Sequence, residues 1–218
     1  MSSSTLPSAV ALVVGFFCGT AQASPDAMLD PSRPPQETGW SVVSRTGEPI
    51  GVTANGSYLT LNSSAEDPFA VQWFYREVPF DFSSGFSIDF ALQVHSVAMP
   101  HNLFDAGVMF YGSTDDPSRN FAGGPRAQMI FFDPGLIGWG DEFDTYAMDT
   151  TDRFHQYRLT VSADGVAQLF ADGTLALERS GFVRIPRIGF GDMTNDPGVN
   201  GSFSIAYINV TARAAEKR

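Results

Sequence analysis

The chain is poor in the residues that several protein classes require. It has a single cysteine, Cys18, so no intramolecular disulfide is available and the fold must be held by burial and hydrogen bonds. It has 13 Lys and Arg against 24 Asp and Glu, a formal net charge of −11. That balance excludes the clustered cations needed for nucleic-acid phosphates or an anionic membrane surface. Of its 3 histidines, none falls in a zinc spacing such as H-E-x-x-H, and no Ser-His-Asp arrangement is visible. No apolar run is long enough to span a bilayer, and no long run has helical periodicity beyond the N-terminus.

The one short apolar segment, Val10 to Phe17, is followed by Ala21-Gln22-Ala23 before Ser24. This is a signal-peptide core with an A-x-A cleavage pattern, although Met1 to Pro7 carry no Lys or Arg. The expected organisation is a signal peptide over 1–23, a Pro-rich linker over 24–36, one domain over 37–212 and a charged tail over 213–218. The product is expected to be secreted or periplasmic, with no membrane insertion and no nucleic-acid partner.

What the chain does have is 19 Phe, 21 Gly and 43% apolar residues. It is organised around Phe154 to Leu177. His155, Tyr157, Leu159 and Val161 alternate with Phe154, Gln156, Arg158 and Thr160, the period of a strand with one buried face. Ala163-Asp164-Gly165 and Asp172-Gly173 are turn signals, since Asp and Gly tolerate positive φ. Phe86, Ile88, Phe90, Leu92 and Val94 mark a strand with one core face, and Asp89 points away from it. Phe80 to Gly85 reads as a turn. Ala127 to Phe132 is almost wholly apolar, which predicts burial on both faces. In the closing strand, Phe203, Ile205, Tyr207 and Asn209 alternate with Ser204, Ala206, Ile208 and Val210. About a dozen such segments predict an all-β, two-sheet antiparallel sandwich.

His155-Gln156-Tyr157-Arg158-Leu159, Asp164-Gly165 and Leu169-Phe170-Ala171-Asp172-Gly173 resemble the H-x-Y-R…DG…DG meander of the concanavalin A-like lectin/glucanase superfamily. Laminin-G-like and pentraxin-like jelly rolls are the nearest in character. Ile188-Gly189-Phe190-Gly191-Asp192 with Tyr207-Ile208-Asn209-Val210 resembles the ending of secreted bacterial members, with Ala206 in place of the usual aspartate. The resemblance implies a jelly roll with one concave sheet. Sites in such a fold lie on that face or on rim loops, and roles range from sugar binding and adhesion to glycoside hydrolysis.

Glu142 and Asp144 resemble the hydrolase motif E-x-D-x-x-E, but Tyr146 or Ala147 stands where the second glutamate belongs. Retaining hydrolysis needs that second carboxyl group. Sugar binding instead uses aromatic faces for CH groups and polar groups for hydroxyls. Trp73, Tyr75, Tyr111, Trp139 and Tyr146 are the candidate rings. Trp139, between Gly138 and Gly140 in an expected loop, is placed at the ligand together with Asp141, Glu142, Asp144 and Tyr146. Asp192, Asn195 and Asp196 offer oxygens for calcium. Asn55, Asn62, Asn200 and Asn209 match the N-glycosylation pattern. His155 reads as a structural strand residue. The leading reading is a secreted, non-catalytic module binding carbohydrate or another surface ligand. A glycoside hydrolase or polysaccharide lyase, and a structural or adhesive module, stand as alternatives.

Overall fold

The computed structural model describes residues 26–44, 51–63, 72–98, 107–111, 128–141, 144–192 and 200–214. Two antiparallel sheets face each other. Sheet A comprises β1 (Asp26–Ala27), β3 (Val52–Ala54), β4 (Leu59–Asn62), β6 (Phe80–Ala98), β11 (His155–Val161), β12 (Ala167–Ala171), β13 (Thr174–Arg179) and β15 (Asn200–Ala214). Sheet B comprises β2 (Ser41–Ser44), β5 (Gln72–Glu77), β7 (Met109–Tyr111), β8 (Met129–Asp133), β9 (Leu136–Trp139), β10 (Thr145–Ala147) and β14 (Arg187–Asp192). The strand order is β13-β12-β11-β6-β15-β4-β3 in sheet A, with β1 beside β15, and β10-β9-β8-β7-β14-β5-β2 in sheet B. Among the described residues there is no α-helix, only a 3-10 turn at Pro35–Thr38.

The predicted meander is β11, β12 and β13. Its second turn needs positive φ at both central residues, and Asp172 (48°) and Gly173 (80°) supply it. Alternation in β6 puts Phe86, Ile88, Phe90, Leu92 and Val94 inside. Phe90 stacks on Phe110 of sheet B at 4.1 Å and lies 5.2 Å from Tyr157, closing the middle of the core. β8 is buried on both faces as expected. Ile130 and Phe132 join the inter-sheet core, and Met129 and Phe131 join Trp73, Met109 and Tyr111 on the outer face of sheet B.

Three expectations are corrected. Phe80 to Gly85 is not a turn but the start of β6, paired with the end of β15 through Arg213↔Asp81 and Ala214↔Phe80. Asp81 does accept a turn-like bond from the Ser83 N–H (2.8 Å), so the local signal was real and the sheet overrode it. Residues 26–36 are not a free linker. β1 pairs with β15, Met28 and Leu29 are buried, and the Met28 carbonyl accepts from Trp40 Nε1 (3.1 Å) and Arg76 Nη1 (2.9 Å). The closing strand changes phase. Phe203 and Ile205 are buried, and so are Ile208, Val210 and Ala212, because a β-bulge skips Ala206 between Ile205↔Leu92 and Tyr207↔Ala91. One extra residue in a strand reverses every side chain beyond it. Tyr207 and Asn209 therefore face outward.

Candidate functional site

The re-aimed Tyr207 forms one side of a groove of about 510 Å³ on the outer face of sheet A. Asp89, Gln156, Arg158, Thr160, Gln168 and Phe170 complete its polar floor and far side. Strand alternation turns each of them outward, since their neighbours Ile88, Tyr157, Leu159 and Leu169 fill the core. A second bulge, at Leu169/Phe170, sets Leu175 of β13 opposite Phe170. Leu175 is 45% exposed and extends the apolar end of the groove.

Arg158 reaches across to Asp89 with two bonds, Nε–Oδ1 at 2.6 Å and Nη2–Oδ2 at 3.1 Å, leaving Nη1 available. The carboxylate raises the affinity of the guanidinium for its proton, so Arg158 remains a cation balanced by Asp89. The Tyr207 hydroxyl donates to Gln156 Oε1, which leaves the Gln156 amide nitrogen as a donor. Burial, and then the Asp89 charge, push the Tyr207 phenol upward, so it stays a neutral donor. Gln168 Nε2 is held by Glu178 at 2.6 Å. The groove thus joins two aromatic rings and an aliphatic side chain to amide, hydroxyl and guanidinium groups, with its central charges paired.

Of the residues expected at a ligand, Trp139, Asp141, Asp144 and Tyr146 do not line this groove. Trp139 is not in a loop. It ends β9, is fully buried, faces Phe182 at 6.0 Å and has Arg179 over its ring at 5.4 Å. The glycine beside it serves packing, because a Cβ at Gly138 would meet the Phe131 ring at 2.6 Å. Asp141 is paired with Arg179, Asp144 is exposed, and Tyr146 of β10 is half-buried against the core. Glu142 lies outside the described residues, as do Asn195 and Asp196. Trp73 and Tyr111 are buried on the outer face of sheet B, 5.9 Å apart, and Tyr75 is half-buried beside Trp73 at 5.5 Å. Among the described residues the centre of that face holds Trp73, Met109, Tyr111, Met129 and Phe131. The groove residues of β11 were legible as the outward half of an alternation, but only the sheet shows what they meet.

No protein-family model matches the sequence, and no curated protein matches it. Solved structures do. The carbohydrate recognition domain of Emp47p is 14% identical, with 86% of this chain and 95% of that one covered and a TM-score of 0.55. The exoplasmic/lumenal domain of VIP36, solved in a Ca2+/Man3GlcNAc-bound form, is 12% identical, with 88% and 90% covered and a TM-score of 0.58. This chain has the concanavalin A-like jelly-roll fold. The carbohydrate recognition domain of Emp46p, solved in a potassium-bound form, shares that jelly roll at 12% identity, with 87% and 97% covered and a TM-score of 0.55. Among the described residues, no helix is long and apolar enough to cross a membrane.

The H-x-Y-R meander of the jelly roll is a brace. His155 is buried, its Nδ1 2.8 Å from Asp172 and its Nε2 2.8 Å from Asp152. Arg153 bonds both carboxylates, at 2.7 Å to Asp152 and 2.9 Å to Asp172. Burial alone would raise the pKa of Asp172, but bonds from the Gln156 N–H, His155 and Arg153 outweigh it and the pKa is lowered. Of the residues expected to hold calcium, Asp192 is the one that lies among the described residues. Its Oδ2 accepts from Ser63 Oγ and from the Gly201 N–H (3.1 Å), linking the two sheets in a buried position. Among the described residues no three His, Cys, Asp or Glu gather around a common point.

Proposed function

We propose that the chain is a secreted, non-catalytic carbohydrate-binding module whose contact surface is the outer groove of sheet A. The observation that carries this reading is the groove itself. Phe170 and Tyr207 stand on β12 and β15, with Arg158, Asp89 and Gln156 on the strands between. Sugar rings bring apolar CH faces, which such rings cover, and hydroxyls, which the polar floor can pair. The sugar-bound form of VIP36 lends support at the level of shared architecture.

A glycan array probed with the mature chain, with calcium and with EDTA, tests the reading. Binding to at least one glycan class is expected, and it should persist in EDTA because the groove meets hydroxyls with organic groups. Tyr207→Ala and Phe170→Ala should each weaken binding at least tenfold while leaving the melting temperature within a few degrees. An array blank in both conditions would sink the proposal. Binding that survives both substitutions would move the site elsewhere.

A further inference from the structure

We infer, on the strength of that reading, that the ligand is an internal stretch of a neutral glycan chain laid across the strands, not a single terminal sugar or an acidic polymer. The sheet registers carry the argument. Leu175↔Phe170, Phe170↔Arg158, Arg158↔Asp89 and Asp89↔Asn209 form one continuous row of outward side chains over β13, β12, β11, β6 and β15. Four inter-strand steps of about 4.8 Å make a row roughly 19 Å long. A single sugar ring would fill only part of it. Apolar groups stand on the β13 side, at Leu175 and Phe170, and Tyr207 stands on β15. Hydrogen-bonding groups lie between them. The row itself ends on Asn209, and Tyr207, paired with Ala91, stands two residues along β15, so a chain that touches both Leu175 and Tyr207 crosses the strands obliquely and needs several rings.

The preference for a neutral chain follows from charge. Arg158, the cation of the row, is bonded twice to Asp89, so it offers one free donor and no uncompensated charge. Glu178 stands beside Gln168 at the same end as Leu175, and the chain as a whole carries −11. A polyuronate would meet repulsion from this field with no free cation in the row to offset it. The row is also open at its side, so a polymer need not thread a free end into it.

Affinity electrophoresis of the mature chain in gels containing soluble neutral polysaccharides (glucan, mannan and xylan) or acidic ones (alginate and polygalacturonate) tests the charge preference. Calorimetry with the mono- to hexasaccharides of any retarding polymer tests the length. Retardation by a neutral polymer is expected, with affinity rising at least tenfold from disaccharide to tetrasaccharide. Leu175→Ser should lower tetrasaccharide affinity several-fold and disaccharide affinity by a smaller factor. Full affinity at the monosaccharide, or stronger retardation by the acidic polymers at low salt, would overturn this inference and leave carbohydrate binding standing. Retardation by none of the polymers, together with a blank array, would overturn both.

Discussion

Asp172 shows how much a single residue can be asked to do. It sits at positive φ in a two-residue turn and receives bonds from the Gln156 N–H, His155 and Arg153. Its lowered pKa means the folded state favours the ionised form. Its contribution is therefore present above the unfolded carboxylate value, about 3.9, and is lost as pH falls through the lower folded value. Melting temperature followed from pH 5 to pH 2 should drop more steeply for the native chain than for Asp172→Asn, and parallel curves would refute the assignment. Gly189 is a second such position. A Cβ there would come within 2.7 Å of the Trp73 ring and 3.0 Å of the Phe74 carbonyl. Gly189→Ala should cost about 1–3 kcal/mol in chemical denaturation. The sequence displayed both residues, but it assigned Asp172 only to its turn and left Gly189 without a role. Trp139 was misplaced because flanking glycines look the same whether they bend a loop or make room for a ring.

At the scale of the element, the closing strand separates what patterning can and cannot tell. Alternation in β6 predicts its core face from Phe86 to Val94 without error, because that stretch has no bulge. β15 begins equally legibly, but the extra residue at Ala206 leaves no mark in a sequence whose apolar residues occupy both phases. The groove depends on that bulge, since the same sequence in an unbulged strand would turn Tyr207 inward with Phe203 and Ile205. Deleting Ala206 removes the extra residue and lets Ile205↔Leu92 and Tyr207↔Ala91 follow in unbroken register, so Tyr207 should stay outward and Ile208 and Val210 should stay in the core. The expected result is a cooperative thermal transition by circular dichroism, whereas inserting a second residue beside Ala206 should abolish it by reversing the phase; a deletion variant that fails to fold would refute this reading of the bulge. Bulges are a known means of re-aiming side chains near sites.

For the whole molecule, the two-layer architecture was readable from short alternating segments and turn chemistry, whereas the first strand was not. Asp26 to Gln36 is polar and Pro-rich in composition, yet Met28 and Leu29 lodge in the core and the Met28 carbonyl satisfies two donors. A chain started at Glu37 should melt about 10 °C or more below one started at Ser24, given the loss of two buried apolar side chains in a domain of this size. The ring-over-glycine contacts of sheet B have a further consequence, across lineages. Trp73 and Gly189, and likewise Phe131 and Gly138, are matched in size, so neither member of a pair is free to drift alone. Relatives that carry a side chain at one glycine should have exchanged the opposing ring for something smaller, as one inherited unit.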